Sequence, residues 1–270
     1  MTLTTIDSTP RIGTEIRADR NDLLKGTHAS AIRDLLEQRG VVVFRAVSFT
    51  DEEQLTFSRT LGEVIPQGEK GVFKVTLDPK ENRMAEYLKG AVLWHIDGST
   101  DDLPTRASLL SARRLSKVGG ETEFSSTYAA HDELPEAQKK TLEKLRVIHT
   151  IESIQRRIYP SPTQQQIDGW RAYQPKSHPL VWTHRSGRKS LVLGSTASHI
   201  EGWEPQEGRA LITRLEEWST QPRFVYRHEW TLGDLLIWDN TGTMHRVLPY
   251  APDSGRMMHR TTLVGEEELV

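Results

Sequence analysis

The chain alternates between helical and strand-like spacing of its apolar residues. In HASAIRDLLEQRG (28 to 40), Ile32, Leu35 and Leu36 recur at helical spacing and a glycine closes the run. This predicts a helix followed by a buried strand at VVVFRAV (41 to 47). Thr50, with Glu53 three residues later, is a capping box that opens a second helix through Leu55, Phe57 and Leu61. From 64 to 92 the chain is rich in Gly, Pro and charge, which predicts strands joined by long loops. PEAQKKTLEKLRVI (135 to 148) predicts a helix with proline at its start, and 150–180 reads as a polar, proline-containing insert. GRALITRLEEWS (208 to 219) is the last clear helix. RFVYRHEW (223 to 230) alternates like a half-exposed strand, TLGD turns, and LLIWDN (235 to 240) predicts a buried strand. No repeat or linker divides the chain, so one domain over 1–270 is expected.

One apolar run ends unusually. AVLWHIDGST (91 to 100) reads as a strand closing in His95-Ile96-Asp97, and strand alternation places His95 and Asp97 on one face. The bland reading is a polar strand end, with His95 and Asp97 bonded to each other or to water. The sharper reading is two thirds of a metal site, which needs a third ligand elsewhere. Composition narrows the chemistry. The 270 residues contain no cysteine, so thiolate metal sites, disulfides and cysteine nucleophiles are excluded, and any metal must be held by His and carboxylate. Lys plus Arg (35) nearly balances Asp plus Glu (37), a net charge of -2 that points to neither nucleic acid nor a membrane surface as partner. The N-terminal stretch lacks the apolar core of a signal peptide, and no segment approaches the roughly eighteen apolar residues of a membrane span, so a cytoplasmic location is expected.

The candidate third ligand is His245, in LLIWDNTGTMHRVLPY, where the preceding strand could pair beside the one carrying His95. The run that follows it, GRMMHRTTLV, supplies two arginines on a predicted strand. Taken alone, His245 would be an ordinary core or surface histidine. Two imidazoles and one carboxylate on one face are the facial triad of non-haem iron(II) enzymes, which leaves the remaining coordination positions open. Arg256 and Arg260 share a strand face, as do Met258 and Thr262. A guanidinium fork suits a carboxylate bidentately; the bland alternative for each arginine is a surface ion pair.

Five segments carry a resemblance: WHIDGS (94 to 99), GGETEF (119 to 124), HPLVWTHRSGRKSLVLG (178 to 194), GDLLIWDNTGTMHR (233 to 246) and GRMMHRTTLVGE (255 to 266). In their order and separations, across residues 12 to 267, the chain resembles the taurine dioxygenase and 2,4-dichlorophenoxyacetate dioxygenase branch of the iron(II)- and 2-oxoglutarate-dependent oxygenases. The resemblance implies a mixed α and β fold with a double-stranded β-helix, or jelly roll, core flanked by helices. It implies that His95, Asp97 and His245 bind Fe(II), with 2-oxoglutarate and O2 as cosubstrates. Arg256, eleven residues after His245, matches the arginine that pairs with the distal carboxylate of 2-oxoglutarate, and Thr122 matches a threonine that bonds the same molecule. Arg260 matches a second arginine, near the cosubstrate and the acidic group of the substrate. The implied reaction oxidises a substrate C–H bond and releases succinate and CO2. Related halogenases replace the carboxylate with a small residue, so Asp97 favours an oxygenase outcome. Family members are commonly dimers or tetramers, which makes a homo-oligomer the expectation.

The expected substrate is a small-to-medium organic acid. Ala91 stands where taurine dioxygenase has a substrate-holding asparagine, which argues against taurine, and Gly98-Ser99-Thr100 replaces a frequent aromatic residue after the aspartate. Candidates to line the pocket are Tyr87, Lys89, Ala91, Ser99 and Arg260, with Arg156, Arg157, Tyr159, Trp170 and Tyr173 in the insert; 64–92 and 150–180 are the candidate active-site loops or lid. The competing functional reading is a cupin-like metal-dependent hydrolase or isomerase that uses the same His, Asp and His without 2-oxoglutarate. A jelly-roll binding module without chemistry is the third.

Overall fold

The computed structural model describes residues 3–68 and 70–269. Met1, Thr2 and Val270, at the ends of the expected 1–270 domain, and Glu69, inside the expected 64–92 loop, lie outside the described residues.

A seven-stranded sheet runs in the order Thr4–Asp7, Thr14–Arg17, Val41–Phe44, Leu235–Asp239, Ala107–Arg114, Met257–Leu263 and Phe73–Val75. All its pairs are antiparallel except Thr14–Arg17 with Val41–Phe44. It therefore draws strands from both ends of the chain. A three-stranded antiparallel sheet, Val225–His228, Thr122–Ser126 and Thr243–Val247, packs against one face. Strand alternation divides the side chains. Val41, Val43, Leu236, Trp238 and Met258 meet Phe124 and Tyr226 of the smaller sheet. Val42, Phe44, Leu235 and Ile237 face the opposite way, onto the helices Ala29–Arg39 and Asp51–Leu61 through Ile32, Leu36, Phe57 and Leu61. Full burial of each such side chain stabilises the layer by about 1.5–3 kcal/mol.

The two early helices end as their sequences predict. Gly40 closes the first in the left-handed conformation, and the Thr50–Glu53 capping box opens the second. Other boundaries differ. The helix expected over 135–148 stops at Leu142, and Arg146–His149 is instead a strand between Lys176–Pro179 and Ala197–Ile200. There Val147 and His149 turn inward while Arg146 stays exposed, a period of two that overrides the helical reading. The 150–180 insert contains two capped helices, Ile151–Ile158 and Gln164–Arg171, before that sheet's Lys176–Pro179 strand. The late helix starts earlier than expected, at Pro205, and the 223–230 strand is confined to Val225–His228. The apolar run before His95 is not a strand either. Tyr87–Val92 is a 3-10 turn, and the chain is extended only from Leu93. The cause is packing: Gly90 lies under Ile154 and Ile158 of the insert, whose methyls would stand 3.0 and 3.2 Å from any added Cβ. Among the described residues no helix is long and apolar enough to cross a membrane.

A buried carboxylate holds the start of the Leu235–Asp239 strand. Asp234 accepts from Arg45 Nη1 (2.8 Å), the backbone N–H of Ala46 (2.9 Å) and Thr231 (3.0 Å), and His228 Nε2 (3.2 Å). Burial works to raise this carboxyl, but the His228 contact, the two backbone donors and Arg45 pull it down to about 2. We predict that Asp234→Ala lowers the unfolding free energy at pH 7 by about 3 kcal/mol, because it leaves buried donors unpaired. A depressed folded-state pKa gives stability present above the unfolded value of about 3.9 and lost as pH falls through the folded one. Urea melts of wild type and variant should therefore converge between about pH 4 and pH 2.

Candidate active site

The site lies between the two sheets, where His245 sits at the middle of the Thr243–Val247 strand of the smaller one. His245 and His95 form an isolated antiparallel bridge, His95 N–H donating to His245 O (3.1 Å) and His245 N–H to His95 O (2.9 Å). The bridge sets their ring centroids 4.1 Å apart. Asp97 projects toward both: its oxygens are 3.9 Å from His95 Nε2 and 3.9 Å from His245 Nε2. These separations are too long for hydrogen bonds. They are within the span of about 4.2 Å that two ligand atoms can have when each lies about 2.1 Å from a shared ion. One ligand atom from each of the three residues falls within 4.8 Å of the others, the one such cluster among the described residues.

The surrounding groups suit a metal. His95 Nδ1 is 2.7 Å from the Leu93 carbonyl, so Nδ1 carries the proton and Nε2 is left as a lone pair facing the cluster. His245 is buried with Nδ1 unpartnered, and burial, then neighbouring His95, holds it well below its ordinary value and hence neutral. Burial acts to raise the Asp97 carboxyl; Arg260, both imidazoles and the Ser108 hydroxyl outweigh it and bring it to about 2. Ser108 Oγ donates to Asp97 Oδ2 (3.1 Å) and accepts from Asn240 Nδ2 (3.1 Å), a support the sequence reading missed. Two imidazoles and an ionised carboxylate fit a divalent first-row ion.

A cavity of about 560 Å³ opens from this cluster, within the range usual for small-molecule sites. The structure brings His95, Asp97, His245, Thr122, Arg256, Arg260, Tyr87, Lys89 and Ala91 to its wall. Ser99 is not on that wall: it is buried, bonded to Thr196 (2.8 Å). None of Arg156, Arg157, Tyr159, Trp170 or Tyr173 lines the cavity; from the insert only Ile154 does, because the insert turns its apolar face inward. Arg156 and Arg157 instead pair with Glu152 and Glu216. The 64–92 segment contributes Phe73, Leu77, Met84 and Leu88.

The arginines are held with open donors. Arg256 is buried, gives Nη2 to Gly120 O (3.0 Å), and keeps Nε without a partner. Gly120 has φ +87° and a Cβ there would meet Arg256 Nε at 2.8 Å, so only glycine lets this guanidinium lie against the GGET loop. Arg260 approaches Asp97 (3.4 Å), and its Nε is also unpartnered. Thr122 Oγ1 accepts from Trp230 Nε1 (3.0 Å), which leaves its proton free to donate. Thr262, two residues beyond Arg260 and so on the same face, lines the cavity with a buried, unpartnered hydroxyl. Period-two spacing from Arg260 is the signal in the sequence that marks Thr262.

Two imidazoles, a carboxylate and two guanidiniums with unpartnered Nε atoms around one largely apolar cavity suit a mononuclear metal centre that also takes anions. Comparison with known proteins agrees. The model of the family described as "Taurine catabolism dioxygenase TauD, TfdA family" matches residues 4–262. An alpha-ketoglutarate-dependent 2,4-dichlorophenoxyacetate dioxygenase of Burkholderia sp. (strain RASC) is 37% identical over 272 residues, covering 91% of this chain and 90% of that protein. An enzyme of the same name from Cupriavidus pinatubonensis is 35% identical, covering 92% of each. The crystal structure of AAD-2 with Mn(II) and N-oxalylglycine superposes with a TM-score of 0.87 at 33% identity, covering 100% of both chains. The chain belongs to the TauD/TfdA family and is a non-haem iron(II)- and 2-oxoglutarate-dependent dioxygenase. The hydrolase, isomerase and binding-module readings fall away.

Asp97→Ala should abolish tight Mn(II) binding, read as free Mn(II) by electron paramagnetic resonance, with an unchanged circular dichroism spectrum. A collapsed spectrum would make Asp97 a structural residue instead.

Proposed function

We propose that the enzyme oxidises a C–H bond of a small-to-medium organic acid with an apolar body, using His95, Asp97 and His245 as the iron ligands. The observation that carries this reading is the cavity itself: the triad and the guanidiniums of Arg256 and Arg260, each with an unpartnered Nε, on its polar wall, and Phe73, Leu77, Met84, Leu88 and Ile154 along the apolar one. The 2,4-dichlorophenoxyacetate named for the relatives is such a molecule, an aromatic body with one carboxylate. We read the seven- and three-stranded sheets as the two faces of a jelly roll, and 64–92 with 150–180 as the segments that enclose the substrate. Strands from residues 4 to 263 share one sheet, which supports a single catalytic domain.

Iron, when bound, couples the oxidative decarboxylation of 2-oxoglutarate to succinate and CO2 with oxidation of the substrate. The chain's part is positioning and charge balance. Arg256 receives the distal carboxylate of 2-oxoglutarate as a bidentate pair, and the free proton of Thr122 donates to the same group. Arg260 offsets the charge of Asp97 and directs its remaining donors to the anionic group of the substrate. The apolar wall from Phe73 to Ile154 excludes water from the reacting C–H bond.

Anaerobic addition of Fe(II) and 2-oxoglutarate should produce a weak visible charge-transfer band, and air should then release succinate. Folded, iron-loaded protein that shows no band would overturn the reading. A succinate-release screen across aryloxy acids, alkyl sulfates, sulfonates and amino-acid derivatives identifies the substrate. Arg256→Ala should raise the KM for 2-oxoglutarate by about 10- to 100-fold, the loss typical of a hydrogen bond to a charged group. Gly120→Ala should move the same constant in the same direction, by displacing Arg256. Arg260→Ala should raise the KM of the anionic substrate; an unchanged KM would place that anion elsewhere.

A further inference from the structure

Behind the proposed metal ligands lies a largely buried polar chain that the reaction itself does not use. Its centre is Gly194-Ser195-Thr196, whose consecutive residues touch both ends of the His95–Asp97 segment. Gly194, at φ +108°, lies so close to the backbone that a Cβ there would stand 3.0 Å from His95 Cα and 3.1 Å from Trp94 O. Ser195 N–H donates to Trp94 O at 2.7 Å. Thr196 Oγ1 is 2.8 Å from Ser99 Oγ, two residues past Asp97. On its other side Thr196 Oγ1 is 2.8 Å from His149 Nδ1.

His149 is fully buried and belongs to the Arg146–His149 strand, where it faces Ala197 on one side and Lys176 on the other. The backbone closes the same loop, Thr150 N–H donating to Thr196 O at 2.9 Å. The second ring nitrogen, Nε2, has no hydrogen-bond partner, so the contact with Thr196 is the ring's one polar interaction. Burial, reinforced by His178, keeps the ring neutral by lowering it to about 3. An imidazole buried at such a desolvation penalty for one hydrogen bond calls for a reason at the other end of that bond.

That reason is the geometry of the ligands. His95 and Asp97 are separated by one residue, so the direction of each side chain follows the torsions from Trp94 to Ser99, including Gly98 at φ +78°. The backbone of the pair meets a sheet only at the His95 end, through its bridge to His245, while Asp97 is held by side-chain contacts to Ser108 and Arg260. We propose that Gly194–Thr196, anchored by His149, is a brace that fixes the angle between His95 and Asp97, and that Thr196 and His149 are positioning residues for the metal. The brace spans the ligand pair from outside: one contact precedes His95, the other follows Asp97, and both come from one short turn that leads into the Ala197–Ile200 strand.

The test is Mn(II) affinity of the metal-free full chain, from free Mn(II) by electron paramagnetic resonance, alongside thermal melting. Thr196→Val keeps the shape and removes the hydroxyl; His149→Phe keeps a ring and removes the nitrogen. Each should weaken Mn(II) binding about tenfold or more, the range found when groups supporting metal ligands are removed. His149→Asn, which places an amide near Nδ1, should bind close to the wild-type value. The KM for 2-oxoglutarate at saturating metal should not change. A purely structural role predicts lower melting temperatures with Mn(II) affinity undiminished in the Val and Phe variants, and that result overturns the brace. Should His149→Phe fail to fold, the nearly isosteric Thr196→Val decides alone. Wild-type protein that binds no Mn(II) would overturn the metal centre as well, so the two failures are distinguishable.

Discussion

Everything at this centre depends on one pair of backbone hydrogen bonds. The bridge between His95 and His245 is the shortest possible antiparallel ladder, yet it joins a segment outside the regular sheets to the Thr243–Val247 strand. It brings residues 150 positions apart in sequence to ring contact. With both imidazoles placed by the backbone, the two-residue period turns Asp97 toward the same point, where Ser108 and Arg260 hold its carboxylate. The core then fixes what the bridge has joined: Trp238 and Phe124 pack on the His245 ring from either sheet, at 4.6 and 6.2 Å between centroids.

Charge sets the second constraint. A buried carboxylate is tolerated only when paired and hydrogen-bonded. Asp97 meets that condition through Arg260, two imidazoles and Ser108, with Asn240 behind the serine. Arg256 is the reverse case, a buried cation whose Nε lacks a partner. Gly120 O, Tyr250 and the more distant Glu121 offset its charge only in part, a setting suited to the carboxylate proposed to bind there.

The parts legible in the sequence were those governed by local rules. The Thr50–Glu53 cap and Gly40 bound their helices because capping is decided within a turn. His95 and Asp97 were visible through their spacing, whereas His245, Arg256 and Thr122 were singled out by order and separation across five segments. What stayed hidden was decided by tertiary contact. Ala91-Val92 open an apolar run that suits a strand, but they finish the Tyr87–Val92 3-10 turn, where the insert presses on Gly90. Ser99 looked like a pocket residue from its place after Asp97; the positive φ of Gly98 turns the chain, and Ser99 meets Thr196 instead. His149 carried no spacing signal, since its partner lies 47 residues away.

The far wall of the cavity is built differently from its metal end. Residues 73–92 add only the three-residue strand Phe73–Val75 to the large sheet, and the 3-10 turn after it rests on two isoleucine side chains of the insert. The ligands, by contrast, are tied to backbone ladders and buried polar chains. Substitutions in the wall therefore leave the iron chemistry untouched while they reshape the space above it. Within one lineage, such a wall can drift from one organic acid to another by single changes, and the catalytic centre need not be invented again.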